Sequence, residues 1–215
     1  MARVIRCGAA PVTIAINQND ENVKVSNPQG KGLVPVLEHW QSAQPAQVCA
    51  KPAAELLADF CVSSLVLSAE FAFRPVVGQS YHLYWAAERW LLSLIGPLEW
   101  GERRPGEYAG CCQLRSDMTW QLLPPEDLGD GDAVVLALAR FFDAFAESLG
   151  RAESLDESLP GYVAHLPYYQ RMLATGLTAS MSRSANASGL EHQSGRSLLA
   201  AAGANPLLAG ACHGD

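Results

Sequence analysis

The sequence predicts an α+β fold, an antiparallel β-meander of about four to five strands packed against helices, with flexible termini. Three observations predict it. Four of the five tryptophans, Trp85, Trp90, Trp100 and Trp120, fall within Leu65–Leu123 in short alternating runs. Proline and glycine punctuate those runs as turns do. Further on, Ala133–Leu149 carries its apolar residues at helical spacing. Large aromatic side chains bury more surface than any others, so their cluster marks the core.

The elements follow in chain order. Residues 1–26 read as weakly ordered, since Asn, Gln, Asp and Ser dominate after Asn17, and Val23-Lys24-Val25 is at most a short edge strand. Gly30-Lys31-Gly32 imitates a phosphate-binding loop, but the full glycine spacing, a following Ser or Thr and a preceding apolar strand are missing. Residues 27–150 form one expected domain. It begins with a short helix over Val34–Trp40 and a second helix, opened by Pro52, over Ala53–Cys61. After Val62 the period changes. Leu65, Leu67, Ala69, Phe71 and Phe73 alternate with more polar neighbours, which predicts a long strand, with a continuing helix as the alternative.

Pro75–Gly78 turns the chain into a strand over Tyr81–Trp85, and Ala86–Arg89 turns it into Trp90–Ile95, which Gly96-Pro97 stops. The loop Glu99–Glu107 holds Trp100 and the adjacent arginines Arg103 and Arg104, and strands over Tyr108–Leu114 and Thr119–Leu123 complete the sheet. Asp130 or Asp132 caps the next helix, whose Val134, Leu138, Phe141, Phe145 and Leu149 form a stripe for the sheet. Residues 151–179 read as a helical extension interrupted by Pro167. The Ser-, Ala-, Gly- and Asn-rich residues 180–215 read as a flexible low-complexity tail.

Charge and cysteine usage narrow the function classes. A net charge of −7 with scattered basic residues argues against a nucleic-acid surface. No stretch is apolar enough for a membrane span, and the run Cys7–Ile16 lacks the cleavage site of a signal peptide, which leaves a cytoplasmic protein. The six cysteines show no Cys-x-x-Cys spacing and the histidines stand alone, so free thiols, no metal and no cofactor are expected. In a strand, Cys111 and Cys112 would point to opposite faces.

Three segments carry a resemblance. Phe73-x-Pro75-x-x-Gly78-x-x-Tyr81-x-Leu83-Tyr84, Leu92-Ser93-Leu94-Ile95-x-Pro97-x-Glu99-Trp100-Gly101 and Gly110-x-x-x-Leu114-x-x-Asp117-Met118-Thr119-Trp120 resemble the core signature of the family called domain of unknown function 2452, over about residues 65–123. That family has no known function, so the resemblance implies no reaction, cofactor or partner.

Two functional readings compete. In the first, the protein is a non-catalytic interaction or small-ligand-binding module, monomer or homodimer, whose sheet and loops present Tyr84, Trp100, Arg103, Arg104, Asp117 and Trp120 to a protein partner or small molecule. The second is an enzyme whose acid–base pocket combines Asp117, Glu99 and His82. Strand alternation places His82 opposite Tyr81 and Leu83, facing solvent if those two face the core. Asp117 also has an ordinary structural use, accepting hydrogen bonds from the amides of its own turn.

Overall fold

A sheet built on the predicted aromatic runs organises the chain. The computed structural model describes residues 33–203 except residue 130, so the N-terminal 26 residues, Gly30-Lys31-Gly32 and Asp130 lie outside the described residues. The strands are β1 (Ser80–Ala86), β2 (Arg89–Ser93), β3 (Glu107–Leu114) and β4 (Trp120–Leu123), all antiparallel to their neighbours. Their spatial order is β2-β1-β3-β4. The expected α+β class with an antiparallel sheet is present, but the sequential meander order is broken once. The chain leaving β2 crosses to the far side of β1 before β3 begins, so β1 is central.

Two local features shape this sheet. The β1–β2 hairpin turns on Ala87 and Glu88, both at positive φ (48° and 61°), the geometry of a tight two-residue hairpin turn made here without glycine. Between β1 and β3 the pairing slips, with Leu83 opposite Gly110 and Tyr84 opposite Tyr108. Ala109 is the extra residue of this bulge. Gly110 adopts φ 145°, and a Cβ there would strike the Leu123 carbonyl.

The helices are α1 (Leu33–Ser42), α2 (Ala53–Ser68), α3 (Pro97–Trp100), α4 (Ala133–Gly150), α5 (Leu155–Ser158), α6 (Tyr168–Ala187) and α7 (Gly195–Ala202). The long strand expected over Leu65–Arg74 is replaced by the last turn of α2 and an extended segment. Leu65 follows Cys61 by four residues, which continues the buried helical series Leu57, Cys61, Leu65. The helix stops where Ser68 Oγ donates to the Leu65 carbonyl (2.6 Å). Only Glu70 then bridges to Leu91 of β2. α2 is apolar on nearly all sides because β2, β4, α4, α6 and α7 all pack against it.

α4 covers the sheet as its stripe predicts, with Val134, Phe141, Phe145 and Leu149 buried and Phe60 of α2 edge-on to Phe145 at 5.1 Å. Asp132 occupies the N-cap position without a side-chain cap. That bond comes from across the structure, where Glu107 Oε2 accepts from the Val134 amide (3.0 Å).

The largest correction concerns residues 180–202. They are not a flexible tail: α6 runs through to Ala187, and Met181, Ala185 and Leu198 are buried in the core. The helix predicted across Pro167 begins after it, because proline at the N-cap needs no amide partner. The small residues that read as low complexity allow close approach. Within that stretch a Cβ on Gly195 would strike the Leu149 carbonyl, and in the helical stretch before it one on Gly176 would meet the Ala43 carbonyl at 2.5 Å. Met181→Ala and Leu198→Ala should therefore each cost about 2–5 kcal/mol in urea unfolding, as core truncations do. A mobile tail would lose nothing.

Candidate functional site

The turn joining β3 to β4 is built by its own side chains. Met118 takes φ 64°, and Asp117 Oδ1 accepts from the Thr119 amide (3.1 Å) and hydroxyl (2.6 Å). This is the structural use the sequence allowed for Asp117. The second oxygen does more: Asp117 Oδ2 lies 2.8 Å from Lys51 Nζ, which also sits 2.6 Å from Asp59 Oδ2 of α2. Arg115 completes the group by pairing with Asp59 Oδ1 and donating to Thr119 Oγ1 (3.0 Å). Two carboxylates and two cations thus balance in a largely buried cluster. Lys51 is also tied to α6, its amide donating to Ser188 Oγ (2.8 Å) and its carbonyl accepting from that hydroxyl (2.9 Å).

The electrostatics follow from this geometry. Burial alone would raise the Asp117 pKa, but hydrogen bonds from Lys51 and Thr119 hold it below the usual carboxylate range. For Lys51, burial lowers the pKa and the bonds and charges of Asp117 and Asp59 raise it, with a net rise. A charge-balanced cluster of this kind clamps chain segments together.

A second group lies on the opposite face of the sheet. His82 shares its row with Ser93 of β2 and Cys111 of β3. The β1–β3 bulge brings Tyr108 beside both His82 (ring centroids 5.9 Å) and Tyr84 (5.4 Å), and His82 Nδ1 is 3.2 Å from the Tyr108 hydroxyl. The β2–β3 connection, residues 94–106 including α3, closes over them. Tyr84 OH donates to the Ile95 carbonyl (3.0 Å). Gly96 rests on the imidazole, where a Cβ would come within 3.1 Å of His82 Nε2. Burial lowers the His82 pKa, a nearby Glu99 charge opposing it, so the ring is neutral near pH 7. Burial likewise pushes the Tyr108 hydroxyl up to about 12.

Residues 43–144 match the family model described as protein of unknown function, DUF2452. No curated protein and no solved structure gives a significant match. The DUF2452 segment contains Lys51, Asp59 and Asp117, all four strands and most of α4, whereas α6 and α7 lie outside it.

Within the DUF2452 segment the sequence-predicted residues divide. Trp120 and Tyr84 are fully buried and Asp117 is spent on Lys51, so these three have no surface to offer a partner. Trp120 meets Tyr81 edge-on at 5.6 Å in the core. Trp100 is half-buried, and Arg103 and Arg104 are exposed. The acid–base trio is not assembled. His82 pairs in register with Cys111, whereas Asp117 lies past Leu114, about 10 Å farther along the sheet at ~3.3 Å per residue. His82 does oppose Tyr81 and Leu83, but the connection covers it and leaves it half-buried. Glu99 accepts from the Gly96 amide (3.2 Å) and pairs with no loop arginine.

Lys51, Asp59 and Arg115 were not singled out from sequence. The one available signal was Asp59, a charge inside the apolar run Leu56–Cys61. Cys111 and Cys112 do face opposite ways, and the four cysteines among the described residues are unpaired. Among those residues no three His, Cys, Asp or Glu side chains converge as metal ligands, and no helix is long and apolar enough to cross a membrane.

Two surface features surround the connection. Leu94, Ile95 and Leu98 are exposed, Leu98 to 96%. A cleft of about 590 Å³ lies beside its second half, between Trp85, Glu88, Glu102 and Arg104. Arg140 of α4 reaches toward this edge, its guanidinium 6.0 Å from the Trp85 ring centre and 3.8 Å from Glu88.

The ion cluster fixes a pH signature. Asp117 has its pKa lowered by folding, so its contribution is present above the unfolded value near 3.9 and lost as pH falls through the folded one. Lys51 has its pKa raised, so its contribution is complete below about 10.4 and lost as pH rises through the higher folded value. The urea midpoint should fall at both extremes. Lys51→Met should cost about 3–5 kcal/mol at neutral pH, because it leaves Asp117 charged and buried without its cation, and should remove the alkaline decline.

Proposed function

We propose that this protein is a non-catalytic interaction module of the cytoplasm, and that it meets a protein partner with the connection Leu94–Arg104. The observation that carries this reading is Leu98, 96% exposed on a segment anchored from beneath. An exposed leucine on a loose loop is commonplace. Here Tyr84 bonds the Ile95 carbonyl and Gly96 rests on His82, which hold the connection to the sheet, while Glu99 bonds the Gly96 amide within it. Contacts made by an already ordered segment cost less conformational entropy on binding. Trp100, Arg103 and Arg104 add the residue types that dominate interface energetics. The partner surface that fits is an apolar patch with acidic side chains facing the two arginines. Free thiols support a reducing compartment.

The test compares two exposed leucines. Leu98→Asp and Leu136→Asp, the latter 53% exposed on α4, should each change stability by less than about 0.5 kcal/mol. A partner crosslinked to the wild type should be retained by Leu136→Asp and lost by Leu98→Asp. Equal retention by both variants would remove the connection as the contact surface.

A further inference from the structure

A pocket on the other side of the molecule, separate from that surface, has a defined chemistry. It opens between the end of α1, the segment 74–77 and the first half of α6, and its volume is about 190 Å³. Its floor is buried and apolar, formed by Ala43, Leu114, Met118, Met172 and Leu173. Two of these are methionines, whose unbranched side chains adapt to the shape of a guest. Apolar cavities of roughly 150 Å³ admit a benzene ring.

The mouth carries one charge. Arg74 lines it and donates from Nη2 to Ser42 Oγ at 2.7 Å. Among the described residues no carboxylate pairs with Arg74: Glu70 is taken by Arg89, Asp117 by Lys51, and Asp59 by Lys51 and Arg115. A guanidinium has five N–H donors, so the bond to Ser42 leaves others to face a ligand. Val76 and Val77 form the opposite, apolar lip.

We propose that this pocket binds a small monocarboxylic acid with an aromatic or branched apolar body, the body seated against Met118 and Met172 and the carboxylate held by Arg74. A guanidinium–carboxylate bond is charge-assisted and directional, and it orients a guest that the apolar floor alone would hold in any direction.

Phenylacetate and phenylacetamide, which differ in charge and hardly in shape, are the probes for titration into the full chain, followed by calorimetry and saturation-transfer NMR. Phenylacetate should bind with a Kd on the order of 1 mM, as expected for a ligand of this size. The amide should bind about tenfold more weakly. Arg74→Gln should bring the two probes to the same affinity, and Val77→Trp, a change at an exposed lip, should abolish binding of both. Equal affinities in the wild type would overturn the proposal. So would no phenylacetate binding below about 10 mM, or binding that neither variant alters.

Discussion

One ammonium group withdrawn from water holds the parts of this molecule in register. Lys51 Nζ stands between the carboxylates of Asp59 and Asp117, so a segment before α2, the helix itself and the β3–β4 turn meet at a single atom. Desolvating a lysine is costly, and the cost is offset only where every partner is present in good geometry. Arg115 and Thr119 supply the remaining bonds, and Ser188 extends the junction to α6 through the Lys51 main chain. A displaced α2 or a slipped β4 would strand a buried charge. Such a cluster penalises misregistered packings, which would leave a charge buried without its partner.

The sheet uses its two faces differently. On the α2 side, Tyr81, Leu83, Leu92, Cys112, Leu114 and Trp120 form an ordinary apolar core. The other side carries hydrogen-bonding rings, His82, Tyr84 and Tyr108, and their partners are the main chain of the connection above them and each other. A bulge at Ala109 makes this possible by setting Tyr108 opposite Tyr84. Polar aromatics thus fix the path of the connection while its aliphatic side chains remain on the surface.

Much of this was legible in the sequence, and the misses have physical causes. All four strands were legible from their alternating, aromatic-rich residues, with Gly78, Gly96-Pro97 and Pro124-Pro125 marking some of their ends, and α4 because its stripe has one period throughout. The end of α2 was not, since Leu65 and Val66 satisfy both a helical series from Cys61 and an alternating one toward Phe73. The ion cluster was hidden because its partners stand 8 and 66 residues apart in the chain, with no local pattern linking them. The C-terminal helices were misread on composition. Ser184, Gly195 and their small neighbours look like a linker, yet their role is to let segments pack closely. Asp117, Trp120 and Tyr84 stand out in the sequence, and all three are buried in the structure.

The position of α7 bears on how the protein is made. α2 is synthesised well before α7, yet Leu198 is among the side chains that complete the core around it, and α7 packs directly against it. Until that late helix has emerged, the nascent chain carries an uncovered apolar face on its central helix. Closure of the core consequently waits for α7. The interval before it is when chaperones have most to protect.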